Sequence, residues 1–517
     1  MKIKCLGASG CVTGSCFLLD NGKQFLIDCG LFQGGKQMEA LNRTDWGFDP
    51  HNIEALFLTH AHIDHCGRIP KLVRDGFKGK IYATLPTVEL AKILLLDSAH
   101  IQEMEAEWES RKNRRRGKTD VQPLYTVKDA EKSLSRFEVL PKDERVSLDE
   151  DLAFCFRNAG HILGSSILEL WCGTGTQTRK IVFTGDLGHK NQLIVQDPHY
   201  ILDSDVLFVE STYGNRNHKS FEASRAELLE AILFSYHHNE KVIIPAFAVG
   251  RTQELLYIIG EFFRSGQIPS MPVYLDSPLA IAATNIFRRM KDFYDEETQA
   301  LVSTGVDPFS FPQLILSHTA QESMRINESS GPGIVIAGNG MCTAGRIKHH
   351  LKHNLWRKGA SIVFVGYQAA GTIGRKIVEG ARAVRVFSEN LAVRARVFTI
   401  GGFSAHADQS DLFEWLSHYE NRDVDVYVIH GEEHISTSFA SLIRQRFGFR
   451  SHVPAIGDVI PITIPEARAV TAPSVGAERL PGLSNLLRKA DEIRRLIEVA
   501  PEAIPEDALR AIEEELS

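Results

Sequence analysis

The segment Thr59-His60-Ala61-His62-Ile63-Asp64-His65-Cys66-Gly67 constrains this chain more than any other. Three histidines and an aspartate fall within six residues, directly after the apolar run Ala55-Leu56-Phe57-Leu58. Short apolar runs bounded by polar residues read as strands. Four polar side chains crowded at a strand end are costly to desolvate unless something compensates them, and a bound cation does so. In an extended segment His60 and His62 face the same way. Asp64 and His65 lie past the bend, where they can face a second ion, and a helix is expected over 68–74.

One segment cannot complete two coordination spheres. His161 stands in Ala159-Gly160-His161-Ile162-Leu163-Gly164, where flanking glycines allow close approach. Asp186 and His430 each follow an apolar run, in Phe183-Thr184-Gly185-Asp186 and Val428-Ile429-His430-Gly431-Glu432. The residues divide into His60, His62 and His161 for one ion and Asp64, His65 and His430 for the other, with Asp186 bridging. This nitrogen-rich set with carboxylates suits two Zn²⁺ ions, with Mn²⁺ or iron left open. Asp28 reads as the hydrogen-bond partner that orients a ligand histidine.

The same pattern organises the chain. Runs at 25–27, 55–58, 181–183, 206–209 and 424–429 are each followed at once or within two residues by Asp28, His60, Asp186, Glu210 or His430. Ligand sites in open α/β sheets gather at the carboxyl ends of strands, so both halves of the chain are expected to build one site. Between them, strand, Gly-rich turn and helix alternate, with helices over 221–236 and 251–265, which signals a parallel α/β unit. The reading is a core domain over 1–210 and 396–462, an inserted domain over 211–395, and a tail over 463–517. In the tail Pro465, Pro473, Gly476 and Pro481 make a linker. Leu483 to Ile497 then follow helical spacing, a packing face with no catalytic role.

Composition narrows the classes. With 517 residues, 43% apolar and 24% charged, the chain has the profile of a globular protein of about three domains. No run approaches the roughly 20 apolar residues of a membrane span, and Met1-Lys2-Ile3-Lys4-Cys5 enters a strand pattern with no leader expected. The eight scattered cysteines form no CxxC pair and read as reduced core thiols of a cytoplasmic protein. The net charge of −7 offers nucleic acid no global attraction, so such binding must be local. The strongest basic run, Arg111-Lys112-Asn113-Arg114-Arg115-Arg116, follows Glu103, Glu105, Glu107 and Glu109. It is either a solvated helix end with intrahelical ion pairs or a nucleic-acid contact.

His60-x-His62-x-Asp64-His65, with Asp28, His161, Asp186 and His430, resembles the motif set of the metallo-β-lactamase superfamily. Glu210-Ser211-Thr212-Tyr213-Gly214, Phe403-Ser404-Ala405-His406-Ala407-Asp408 and His430-Gly431-Glu432 resemble the three further motifs of its β-CASP nucleases. Residues 245–251, 340–346 and 366–372 also read like this group. The resemblance covers about 1–460 and is nearest to prokaryotic relatives of the mRNA 3′-end cleavage endonuclease. It implies an α/β fold, an αββα sandwich with an inserted parallel β-CASP domain, acting on RNA as a zinc-dependent ribonuclease. A homodimer is expected from it.

The implied chemistry is phosphodiester hydrolysis assisted by two metal ions. His406 is the expected general acid for the leaving oxygen, with Glu210 orienting it and holding it charged. Asp64 and Asp186 serve catalysis as ligands. Arg251, Arg346, Lys348 and Ser404 are expected phosphate contacts, although Arg346 equally suits pairing with a local carboxylate. His349 and His350 read as surface or packing residues. A 5′-exoribonuclease of the same family is one alternative. A small-molecule hydrolase on the same core is another, disfavoured by an insertion of roughly 180 residues over the site.

Overall fold

The computed structural model describes residues 1–463 apart from 367 and 370, so the expected linker and tail helix lie outside the described residues. The first sheet has seven strands, in the order Val459–Pro461, Lys2–Cys5, Phe17–Asp20, Gln24–Ile27, Ile53–Phe57, Lys80–Ala83 and Phe137–Val139. The second also has seven, in the order Arg450–His452, Asp425–Ile429, Val206–Glu210, Arg179–Phe183, Ser166–Cys172, Leu152–Asn158 and Val146–Ser147. Their facing sides share one core of Phe17, Phe25, Phe57, Phe154, Phe156, Phe183 and Phe208 with Ile, Leu and Cys neighbours. Aromatic pairs bridge the sheets, with Phe57 and Phe154 ring centroids 4.6 Å apart and Phe17 and Phe183 5.4 Å apart. Alternation along each strand supplies this face.

Helices cover the outer faces. Ile69–Arg74, the long Leu85–Arg114 and Val127–Leu134 pack on the first sheet. Gln409–Ser417 and Glu433–Phe447 pack on the second through Leu412, Trp415, Leu416, Phe439 and Ile443. This is the αββα layering expected from the sequence. The expected helix over 68–74 begins at Ile69, after a separate helical turn Ile63–Cys66 that holds Asp64 and His65.

The third sheet is wholly parallel, in the order Leu314–Leu316, Val273–Asp276, Gly333–Ala337, Lys241–Pro245, Ser361–Phe364 and Arg396–Thr399. Its near-continuous apolar strands, such as Val242-Ile243-Ile244, are buried on both faces by helices that include Phe221–His237, Arg251–Arg264 and Ile347–Asn354. Arg396–Thr399 pairs with Ser361–Phe364 and so belongs to this sheet. An exposed Arg396 and Thr399 hid a strand whose only deeply buried side chain is Phe398.

Candidate metal centre

His60, His161, Asp186 and His430 arrive on loops past a strand, and Asp64 and His65 on the helical turn Ile63–Cys66. His60 follows Ile53–Phe57, Asp186 follows Arg179–Phe183, and His430 follows Asp425–Ile429. That helical turn is stapled from three sides. Ser15 N and Cys29 N donate to the Asp64 and His65 carbonyls at 2.8 Å each, and Leu31 N donates to Ile63 O at 2.9 Å. Only glycine fits at position 30, since a Cβ there would lie 1.5 Å from the Asp64 carbonyl oxygen. Gly160, with φ of 68°, lies so close to Pro198 that a Cβ would come within 2.8 Å of it. Asp28 and His430 take φ of 57° and 48°, a backbone region that costs a side-chain-bearing residue roughly 1–2 kcal/mol. Such expense at two buried polar residues marks a functional site.

The fold brings the seven residues into two adjoining sets. His60, His62, His161 and Asp186 form one, and Asp64, His65 and His430 the other. His62 Nδ1 is 3.1 Å from His60 Nε2 and 3.2 Å from His161 Nε2. Asp186 Oδ2 is 3.4 Å from His60 Nε2. Its Oδ1 is 3.4 Å from His65 Nε2 and 3.3 Å from His430 Nδ1, so the carboxylate lies between the sets. His65 Nε2 and His430 Nε2 are 3.2 Å apart, and Asp64 Oδ2 is 3.7 Å from His430 Nε2.

The outer nitrogens fix which ring nitrogen faces inward. His65 Nδ1 donates to Asp28 Oδ2 at 2.7 Å, and His161 Nδ1 to the Ala405 carbonyl at 3.1 Å. Asp28 also accepts from Ser15 Oγ and from Thr59 N. Burial pushes the His60 and His161 imidazoles below their ordinary range and His62 down to about 3, so all three stay neutral with a lone pair to give. Burial pushes Asp64 and Asp186 the other way, but His430 and its neighbouring imidazoles hold both carboxyls below the usual range. At His65 burial is outweighed by the Asp186 and Asp28 carboxylates, which raise it well above the ordinary value.

Whether these residues fit a metal is tested by what they lack. Asp186 Oδ1 is fully buried and accepts no hydrogen bond. Neutral imidazole nitrogens converge at 3.1–3.2 Å with too few protons to satisfy one another. A cation at each set resolves both deficits, and the nitrogen-and-carboxylate donors suit zinc.

His406 stands beside the centre, its Nδ1 3.3 Å from Glu210 Oε1 and 3.9 Å from Asp186 Oδ2. Burial alone would lower it, but the Glu210 charge and hydrogen bond raise it to about 9. Glu210 also lies within ligand range of Asp186 and His430. Its oxygens are already engaged, Oε1 by Leu187 N at 2.6 Å and Oε2 by Thr212 N at 3.3 Å. That arrangement orients His406 better than it coordinates an ion.

Among the expected RNA contacts, Ser404 Oγ accepts from His406 N at 3.3 Å and is at the site. Arg346 is not free for phosphate: Nη1 donates to Asp276 Oδ1 at 2.7 Å and Nη2 to the His318 carbonyl at 2.9 Å. Arg251 is buried in an ion pair with Glu254. Lys348 lies 4.7 Å from the Phe387 ring centroid. Two contributors escaped the sequence reading. Thr212 Oγ1 lies 3.1 Å from His430 Nδ1, and His218 Nε2 donates to the His406 carbonyl at 3.1 Å. Asp408 accepts from His218 N at 3.0 Å while capping helix Gln409–Ser417. Thr212 was signalled only by its place two residues after Glu210, and His218 by nothing.

Comparison with known proteins adds three matched regions. Residues 9–136 match the metallo-beta-lactamase superfamily, 252–377 the Beta-Casp domain, and 390–454 the Zn-dependent metallo-hydrolase RNA specificity domain. Ribonuclease TTHA0252 of Thermus thermophilus is 36% identical over 463 residues, 89% of this chain and 100% of that protein. Transcription termination factor FttA of Methanocaldococcus jannaschii is 30% identical over 472 residues, 89% of this chain and 71% of its own. An RNase J-like protein of the same archaeon is 31% identical over 456 residues, 87% and 96% of the two chains.

Proposed function

The chain belongs to the β-CASP group of the metallo-β-lactamase superfamily, and from that premise we propose that it is a metal-dependent ribonuclease that cuts RNA internally. The observation that carries the reading is two ligand sets joined by Asp186, with a His406–Glu210 pair at their edge. The names of the relatives, one a ribonuclease and another an RNase J-like protein, support the substrate class.

Two Zn²⁺ ions are the proposed cofactor, held by His60, His62 and His161 on one side and Asp64, His65 and His430 on the other, with Asp186 shared. Bound there, such a pair supplies an activated water and neutralises charge on a phosphoryl group. The chain's own residues do the rest. Asp28 holds His65 in the ligating tautomer, and Thr212 fixes His430. His406 gives its proton to the leaving oxygen from Nε2, since Nδ1 is engaged by Glu210. Glu210 keeps that proton in place near neutrality. Ser404, beside His406, contacts RNA. The inserted domain, over 211–395 by sequence and extended by the strand Arg396–Thr399, supplies the other wall of the RNA cleft.

No helix among the described residues is long and apolar enough to cross a membrane. Eight free cysteines, seven of them buried, support a reducing, cytoplasmic setting. The proposed homodimer is tested by sedimentation of the full chain. The deciding experiment compares a 5′-labelled linear RNA with a circular one, with and without chelator. Chelator-sensitive opening of the circle is the expected result. A circle left intact while the linear RNA is degraded from its 5′ end would replace the internal cut with exonuclease action.

A further inference from the structure

Helix Leu85–Arg114 starts beside the metal centre and ends far from it. Thr84 Oγ1 and Thr87 Oγ1 donate to the Gly164 carbonyl at 2.7 and 2.8 Å, three residues beyond His161. At a rise of 1.5 Å per residue, Trp108 lies about 35 Å further along the axis than Leu85. One face of the outer half, with Ala99, Ala106 and Ser110, is buried. Ser110 Oγ accepts from Val121 N at 2.8 Å, which ties the returning chain to the helix and makes the tip a fixed structure.

The opposite face is bare. Ile101, Met104 and Trp108 are 42%, 58% and 66% exposed, at helical spacing. Trp108 is the most exposed large apolar side chain among the described residues. Lys112 and Arg115 continue the same face one and two turns on, and Lys112 Nζ lies 5.1 Å from the Trp108 ring centroid. Not all the local cations are available, because Arg111 pairs with Glu107 and Arg114 with Asp120. Lys112, Arg115, Arg116 and Lys118 make no ion pair among the described residues. Of the nearby acids, Glu103 is bonded to Val127 N and Glu105 precedes the tip, which leaves the exposed Glu109 as one acid against its four unpaired cations.

A solvent-facing indole set among unpaired cations matches one kind of ligand. Single-stranded nucleic acid offers a base to stack and phosphates to neutralise in the same few ångströms. An apolar protein surface would bury the indole but leave four cations unanswered. We propose that this tip, Trp108 with Lys112, Arg115, Arg116 and Lys118, is a landing site for single-stranded RNA outside the metal centre, engaging the flanking part of a long substrate. The proposal rests on the ribonuclease reading for its ligand but not on turnover.

The test measures binding of the full chain to a long and a very short single-stranded RNA, in chelator so that nothing is cleaved. Trp108→Ala should weaken long-RNA binding roughly ten-fold, as expected for one lost stacking contact. The triple variant K112Q/R115Q/R116Q should weaken it and lower the slope of log Kd against log salt by about two. Both variants should bind the short RNA, which cannot reach the tip, like the unmodified protein. Unchanged long-RNA affinity in both variants overturns the proposal, and so does an equal loss for the short RNA. A change in oligomeric state with RNA affinity intact overturns it in favour of a protein partner. Hydrolysis of a chromogenic phosphodiester, in metal, reports on the catalytic reading separately. If the unmodified protein fails that assay while the variants still lose long-RNA affinity, the landing site stands and the catalytic reading falls.

Discussion

Two buried aspartates in this molecule sit in nearly the same setting and come to opposite states. Asp276 ends the parallel strand Val273–Asp276 of the third sheet, and Asp186 lies just past Arg179–Phe183 of the second. Both are inaccessible, and both have histidines against them. Around Asp276 every acceptor has a donor. Arg346 Nη1 reaches Oδ1 at 2.7 Å, and His350 Nε2 and Ser323 Oγ reach Oδ2 at 2.6 Å each. Around Asp186 the neutral imidazoles of His60 and His161 bring lone pairs, and Oδ1 is left without a hydrogen bond. A closed network is architecture, and one that closes only around cations is a site. Histidine and carboxylate together therefore do not identify a metal centre; the deficit of donors does.

That contrast can be broken experimentally. His62→Ala should strip metal from the protein, read by elemental analysis, and cut RNA hydrolysis by about three orders of magnitude or more. His350→Ala should leave metal content unchanged, and equal metal loss in the two variants would erase the distinction. His406→Ala should keep its metal and lose roughly 10²–10⁴-fold in turnover, since only the proton donor is removed. Metal loss there would make His406 a ligand.

On the closed side, Asp276→Ala should cost about 3–5 kcal/mol in denaturant titration, because it leaves buried charge unpaired, with the metal-to-protein ratio unaltered. The pH dependence has a definite sign. Burial pushes the Asp276 carboxyl up, but bonds from His350, Ser323 and Ser317 outweigh it and hold the group below the ordinary value. Its stabilisation is thus present above the unfolded value of about 3.9 and lost as pH falls through the lower folded value. The stability gap between the two proteins should shrink below about pH 4 and stay constant above pH 6. The smallest effect is expected from Thr212→Val, which should weaken metal affinity by roughly 10–100-fold through His430 while sparing the fold.

Much of this was legible in the chain. Polar residues that interrupt apolar runs are visible as strand ends, and ligand sites of open α/β sheets gather at the carboxyl ends of strands. That logic groups Asp28, His60, Asp186, Glu210 and His430 across hundreds of residues, while His161 is marked by its flanking glycines. It failed where the partner is distant and chemically ordinary. Arg346 looked like a phosphate contact because Asp276, 70 residues earlier, carries no mark of being its counter-ion. Positive φ at Asp28 and His430 follows from how the loops close, and neither residue type announces it. The basic run at 111–116 kept two readings because pairing decides between them, and pairing removes only Arg111 and Arg114.

The strand Asp425–Ile429 pairs with Val206–Glu210 across the whole inserted domain, matching Ile429 to Glu210. Six of the seven proposed ligands are already made when synthesis reaches residue 186. The seventh proposed ligand, His430, and the proposed proton donor, His406, both follow the inserted domain. Until those residues are in place the centre lacks a ligand on one side and a neighbour at its edge. The order of the chain makes closure of the centre depend on one long-range pairing, that of Asp425–Ile429 beside Val206–Glu210.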